Sequence, residues 1–284
     1  MHEALAEIRR VTHGQSIAKL ALPGFAITEA SYEPERRVPR HEHAFASWTL
    51  VLEGALEESF ASHTEYCVAG SLLAKPASAA HGNRYGPAGA RCLLIELTSA
   101  EWDVGDARDA VCRLPPAHAF RARRVHATLR RATGLVLTAQ ARLEIEDELL
   151  AVAADTRASA LRARRALAGR PWLRAVRDRL AAEFAQPPAM FELAAAVGVH
   201  PVYLGQAFRA AFGTSPGRWV RQRQVEYARH ALLATDAPLG EVALTAGYSD
   251  QSHFTRRFHA ATGTTPAAFR AAGCAARRSL RRQT

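Results

Sequence analysis

EVALTAGYSDQSHFTRRFHAATGTTPAAF, residues 241–269, decides the fold, because residues 192–219, ELAAAVGVHPVYLGQAFRAAFGTSPGRW, are a diverged copy of it. Glu192, Ala194, Gly198, Phe208, Gly213, Pro216 and Trp219 are echoed by Glu241, Ala243, Gly247, Phe258, Gly263, Pro266 and Phe269. The offset is 49 residues before the inner turn and 50 after it, so the second copy carries one extra residue there. A repeat constrains architecture more than any single motif. Each copy has the grammar of a helix-turn-helix, the unit that presents its second helix to a DNA major groove.

In each copy a short helix of small and aliphatic residues (192–197 or 241–246) ends at Gly198 or Gly247, where left-handed backbone is cheapest. A second helix starts at His200-Pro201, with proline at its favoured first position, or at the capping pair Ser249-Asp250. Its apolar stripe is Tyr203, Leu204 and Phe208, or Phe254 and Phe258. Its other face carries Gln206 and Arg209, or Gln251, Ser252, His253, Thr255, Arg256 and Arg257. Such donors read base edges and grip phosphates. One copy alone could be an ordinary amphipathic hairpin; two matched copies on a basic background favour DNA.

The net charge is +10, and it is unevenly placed. Residues 171–284 hold 15 Arg against 7 acidic residues, whereas residues 1–170 hold 22 basic against 20 acidic. The positive field therefore falls on the repeat half, as phosphate neutralisation requires. All but Lys19 and Lys75 of the basic residues are Arg, a bias that by itself argues nothing about partners. The tail residues Arg277, Arg278, Arg281 and Arg282 are either further phosphate contacts or a solvated terminus.

On these residues, the segment 171–270 resembles the DNA-binding domain of the AraC/XylS transcription regulators, over its whole length. The second unit with its trailing segment, from ATDAPLGEVALTAGYSDQ to TTPAAFR, is the most specific part. The resemblance implies two helix-turn-helix units joined by a long helix, roughly 216–234, with both recognition helices entering successive major-groove segments on one DNA face. The positions it assigns to DNA are Val202, Tyr203, Gln206 and Arg209 in the first recognition helix. In the second they are Asp250, Gln251, Ser252, Thr255 and Arg256. Two departures stand out: His200 replaces the usual Ser before Pro201, and Gly205 sits mid-helix at a cost of about 1 kcal/mol relative to Ala.

From about residue 24 to 97 the chain changes character. Short alternating or apolar runs (FAITEASY, FASWTLVLEG, ALEESF, EYCVAG, SLLAKP, CLLIEL) are broken by Gly and Pro at hairpin spacing. They predict a small all-β barrel or jelly roll. Two stretches resemble the cupin motifs: His41-Glu42-His43 followed by Gly54, and Gly70, Pro76 and His81. In metal-binding cupins the ligands are two His and a Glu from the first motif plus a His from the second. Here the Glu position falls on Ser47. Two readings follow for His41, His43 and His81: a facial three-nitrogen metal site, or the polar lining of an effector pocket without metal. The loss of the Glu favours the second, with Trp48 as a further lining candidate or simply core. Cys67, Cys92, Cys112 and Cys274 form no CxxC pair. Cys67 and Cys92 read as small buried hydrophobes or, alternatively, as a thiol or soft-metal sensor.

Residues 100–170 begin irregularly and break at Pro115-Pro116. A first helical seam runs through Val125, Leu129, Ala132, Val136 and Ala139. A second helix, about 142–167, has Leu143, Leu149, Leu150 and Val152 on its apolar side. These helices pack on the chain's own barrel or form a homodimer contact.

The fold expected is therefore α+β multidomain: an N-terminal all-β cupin-like barrel (1–100), a helical linker (101–170), an all-α tandem helix-turn-helix domain (171–272) and a basic tail (273–284). The function expected is sequence-specific regulation of transcription, modulated by a ligand in the N-terminal domain. Its partners would be double-stranded promoter DNA, a small-molecule effector, a second copy of the chain, and RNA polymerase if it activates. No cofactor, catalysis or membrane partner is expected, and a reduced, cytoplasmic setting follows from the scattered cysteines and the lack of a leader-like or 18-residue apolar run. No phosphate-cradling glycine loop, GxSxG elbow or HExxH occurs. The rivals are a metal-dependent cupin enzyme with an accessory DNA-binding part, and an architectural protein without sequence choice.

Overall fold

A computed structural model describes residues 13–61, 63–99, 112–131 and 137–280. The irregular residues 100–111, Ala132 and Val136 of the expected seam, and the side chains of Arg277, Arg278, Arg281 and Arg282 lie outside the described residues. The chain forms two compact units, residues 1–60 with 67–160, and residues 61–66 with 161–284.

The first unit is built on one eight-stranded sheet: β1 (Gln15–Leu22), β2 (Phe25–Tyr32), β3 (Arg37–His41), β4 (Ala46–Ser59), β5 (Thr64–Val68), β6 (Leu72–Lys75), β7 (His81–Leu97) and β8 (Cys112–Arg113). The pairing order is β1-β2-β7-β4-β6-β8, with β3 on β7 and β5 on β4. Two long strands, β4 and β7, pair along most of their length in antiparallel register, with irregularities between Val51 and Glu53 and between Gly54 and Leu56. The sequence suggested two strands where β4 is one, and placed only the end of β7, because Gly82, Gly86, Pro87 and Gly89 look like turn residues. The β-rich expectation for this half holds.

Strand parity separates the two faces of the sheet. Trp48 pairs with Ile95 and Ala74, and Leu50 with Leu93 and Leu72. These side chains join Phe25 and Ile27 in a core completed by helices α1 (Pro116–Arg131) and α2 (Ala139–Leu167), through Val125, Leu129, Ile145, Leu149 and Val152. Of the two readings kept for these helices, α1 and the first part of α2 cover the sheet of their own chain, and the division into units falls between Ala160 and Leu161. The expected single seam through Ala139 is corrected, since Ala139 opens α2. On α2, Leu149 and Val152 face inward while Leu143 and Leu150 are exposed.

The second unit is helical: α3 (Trp172–Ala182), α4 (Met190–Ala196), α5 (Pro201–Phe212), α6 (Pro216–Ala234), α7 (Leu239–Thr245), α8 (Gln251–Thr262) and α9 (Pro266–Leu280). The duplication is visible element by element. α4 and α7 have seven residues each, and α5 and α8 have twelve. The additional residue of the second copy lies between α7 and α8. Each copy has its own core. Leu193, Ala194, Leu204 and Phe208 form one with α3; their counterparts Val242, Ala243, Phe254 and Phe258 form the other. The joining helix α6 spans the expected residues and gives Val220 to the first core and Ala228, Ala231 and Leu232 to the second.

Both inner-turn glycines have positive φ, 68° at Gly198 and 87° at Gly247. Their surroundings differ. A Cβ at Gly198 would meet nothing within 4 Å, whereas one at Gly247 would lie 2.4 Å from the Ala185 carbonyl oxygen. Gly198→Ala is therefore expected to cost only the left-handed backbone term, about 1–2 kcal/mol. Gly247→Ala must also displace backbone and is expected to cost about 3 kcal/mol or more. Urea denaturation of the full chain checks this, and equal costs would contradict it.

Candidate nucleic-acid interface and the histidine pocket

The recognition helices start from side-chain caps. His200 Nδ1 accepts from the Val202 N–H at 3.3 Å, so the imidazole does the work usually given to a Ser hydroxyl at that position. Asp250 caps α8 by accepting from the His253 N–H at 2.7 Å, and the Ser249 hydroxyl donates to its other oxygen at 3.0 Å. The hydrogen bonds from the His253 N–H and the Ser249 hydroxyl hold the Asp250 carboxyl below its ordinary range. Each helix ends on a left-handed glycine, Gly213 or Gly263.

Helical periodicity then fixes what faces outward. On α5, Leu204, Ala207, Phe208 and Ala211 are buried, and Val202, Gln206 and Arg209 are exposed. On α8, Phe254 and Phe258 are buried, and Gln251, Ser252 and Arg256 are exposed. Val202 and Ser252 are equivalent positions, as are Gln206 and Arg256. The fifty-residue offset also pairs Arg209 with His259, which is exposed one turn beyond Arg256. His259 was missed in the sequence, although the offset marks it.

Three of the nine assigned residues are engaged within the protein. Tyr203, read from the sequence as part of the apolar stripe, is exposed; its hydroxyl accepts from Arg170 Nε at 2.9 Å. Thr255 is half-buried and its hydroxyl donates to the Gln251 carbonyl at 2.8 Å. Asp250 is held by its capping role. Gln206, Arg209, Gln251, Ser252 and Arg256 keep exposed side chains free to face a groove. Behind α6, Gln224 donates to the Phe184 carbonyl at 3.1 Å.

The first unit has a separate candidate site on the sheet face opposite the helices. His41 lies across from His81 in the β3–β7 register, and His43 follows just beyond the end of β3. The three rings converge, with centroids 4.5–5.3 Å apart, and their ligand atoms lie within 4.8 Å of one another. His13, unremarked in the sequence, packs edge-on against His41 at 4.6 Å. Trp48 does not join them: parity turns it into the core under α1 and α2, while its neighbours Ser47 and Thr49 face the pocket. Glu58, Lys75, Asn83 and Glu96 complete the polar lining. Lys75 Nζ donates to Glu58 Oε1 at 2.6 Å and to the Thr49 hydroxyl at 3.2 Å, and Asn83 donates to the same Glu58 oxygen at 2.9 Å. The cavity, partly open to solvent, is about 30 Å³, room for roughly two waters, which suits an ion or a very small ligand. Cys67 and Cys92 are both buried, and burial pushes the Cys92 thiol up, so it behaves as a small hydrophobe.

Burial, reinforced by the nearby Lys75 charge, pushes His43 down to about 3 and His81 down to about 4, so both rings are neutral near pH 7. Burial of the Glu58 carboxyl opposes its ionisation. The Lys75 charge and the hydrogen bonds from Lys75 and Asn83 outweigh that and hold it below its ordinary value. Glu96 has no such compensation and burial raises it from 4.5 to about 7. Between those two values the unfolded chain loses this proton before the folded one, so Glu96 subtracts stability as pH rises through that window. Glu96→Gln is therefore expected to gain stability relative to wild type from pH 5 to pH 7 in urea titrations, and a pH-independent difference would contradict the assignment.

Comparison with known proteins agrees with the geometry of the second unit. A family profile described as a helix-turn-helix domain matches residues 193–272. The HTH-type transcriptional regulator ExsA of Pseudomonas aeruginosa is 36% identical over 61 residues, 22% of each chain. The virulence regulon transcriptional activator VirF of Yersinia enterocolitica is 30% identical over 125 residues, 44% of this chain and 46% of that one. The chain thus spans less than half the length of either curated relative. Among solved structures, the C-terminal domain of AraT, a response regulator from Geobacillus stearothermophilus, is 29% identical, covers 36% of this chain and 85% of its own, and has a TM-score of 0.35. No helix among the described residues is long and apolar enough to cross a membrane. The carboxyl-terminal part of the chain, residues 193–272, therefore carries a helix-turn-helix domain of the AraC family.

Proposed function

We propose that the chain is a sequence-specific transcription regulator whose two recognition helices, α5 and α8, read adjacent major-groove segments of a promoter. The observation that carries this reading is the duplicated scaffold itself. It holds Gln206 and Arg209 on one helix, and Gln251, Ser252 and Arg256 on its counterpart, opposite buried aromatic anchors. Arg256 grips phosphate, and Gln251 at the start of α8 reads a base edge. The names of ExsA and VirF support regulation of transcription, and that of VirF supports activation, with RNA polymerase as the further partner.

The first unit, in this reading, is a cupin-like sensor. Its histidine-lined pocket takes the effector, and effector and promoter affinities are linked reciprocally through the populations of two states of the chain. The exposed Leu143 and Leu150 on α2 offer an apolar contact for a homodimer. The chain performs no catalysis in this account.

Two substitutions test the DNA reading by gel shift across a salt series. Arg256→Ala is expected to weaken binding to every duplex and to reduce the magnitude of the salt slope by about one. Gln251→Ala is expected to cost about 1–3 kcal/mol at particular base pairs and little elsewhere. An unchanged slope in the first variant, or uniform losses in the second, would remove that residue from its assigned role.

A further inference from the structure

Glu58 has an environment that its own ion pair does not explain. It lies in β4, is 1% exposed, and points into the histidine pocket. Its Oε1 is saturated by Lys75 and Asn83, but its Oε2 is fully buried and accepts no hydrogen bond. Leaving an ionised oxygen buried without a donor is costly. Such an oxygen calls for a partner, either an ordered water or a bound ion.

The neighbouring rings are oriented in the same sense. His41 Nδ1 lies 2.8 Å from the Pro39 carbonyl, and His81 Nδ1 lies 2.7 Å from the Ala79 carbonyl. A carbonyl can only accept, so each Nδ1 carries a proton, and in the neutral form of each ring the lone pair is on Nε2. Fixing a ring through Nδ1–H to a backbone carbonyl is how proteins prepare an Nε2 metal ligand. His81 Nε2 is 3.7 Å from Glu58 Oε1, the oxygen that Lys75 and Asn83 hold, which puts the carboxylate next to His81.

We propose that Glu58, rather than position 47 where the cupin motif has its Glu, supplies the carboxylate of a divalent transition-metal site whose other ligands are His41, His43 and His81. Ser47 cannot serve as that ligand, yet its strand returns a carboxylate to the same pocket eleven residues later. Lys75 and Asn83 hold Oε1 and so leave Oε2 as the unfilled acceptor. Three imidazoles and one carboxylate suit a first-row ion from Fe²⁺ to Zn²⁺ rather than Mg²⁺ or Ca²⁺. The small cavity fits an ion and not a drug-sized ligand. Lys75 opposes the incoming charge, and its ammonium is the cation that balances Glu58 when no metal is present. The ion as effector rests on the sensory reading of the first unit; the site itself does not.

The test uses the full chain, stripped with a chelator and dialysed, with Zn²⁺ and Co²⁺ as probes. Wild type is expected to retain one Zn²⁺ per chain against a competing chromophoric chelator and to give Co²⁺ ligand-field bands. The double variant His41→Gln with His43→Gln is expected to lose both. Glu58→Gln is expected to weaken Zn²⁺ at least tenfold and to alter the Co²⁺ spectrum. Lys75→Met, which removes the repulsion, is expected to bind Zn²⁺ more tightly than wild type and to gain more in melting temperature on adding it; this keeps the inference testable if Glu58→Gln does not fold. The proposal is overturned if wild type retains no Zn²⁺, if the double variant retains as much, if Glu58→Gln leaves affinity and spectrum unchanged, or if Lys75→Met binds more weakly. Promoter affinity is measured alongside: Zn²⁺ retained without effect on it contradicts the sensory reading and leaves the site standing, whereas promoter selectivity without Zn²⁺ retention contradicts the site alone.

Discussion

One helix shared between two cores fixes the second unit. α6 contributes Val220 to the core under the first recognition helix, and Ala228, Ala231 and Leu232 to the core under the second. Each helix-turn-helix is too small to bury a sufficient core by itself. Sharing a rigid strut stabilises both and sets the spacing between α5 and α8. Reading two groove segments depends on that spacing, because DNA offers its grooves at a fixed repeat. The polar outer faces need only arginine, glutamine and serine; the scaffold supplies the geometry.

The first unit divides its chemistry by strand parity. Neighbouring residues on β4 and β7 have opposite fates: Trp48, Leu50, Leu93 and Ile95 pack under helices, while Thr49, Glu58, Cys92 and Glu96 face the pocket. A hydrophobic layer thereby backs a polar one, and the carboxylates and histidines of the pocket are held in low dielectric. Burial and the Lys75 charge keep His43 and His81 neutral, which leaves their nitrogens as lone-pair donors rather than cations.

Much of this was legible in the sequence, and what was not has physical reasons. The duplication announced α4 to α9 because glycine turns, caps and aromatic anchors are local signals repeated in step. It also named Gln206, Arg209, Gln251, Ser252 and Arg256 on the outward faces of α5 and α8, but not His259, whose equivalence to Arg209 was there to be read. The departure at His200 resolved as a capping imidazole. The strands were harder. β7 runs through three glycines and a proline, and only pairing with β2, β3 and β4 makes it continuous. The histidine trio was visible as a motif, but His13, Glu58 and Lys75 reach the pocket through long-range register, which a linear pattern does not carry. Tyr203 was misplaced in the apolar stripe because aromatic character does not reveal which face a side chain occupies; Trp48, left open between pocket and core, lies in the core.

The central claim is that two linked recognition helices read one face of a duplex, and its most direct measurement is a hydroxyl-radical footprint of the full chain on its promoter. The account predicts two protected patches on the same DNA face, centred about one helical turn, roughly 10–10.5 base pairs, apart. A single patch, or protection spread evenly along the duplex, would contradict it.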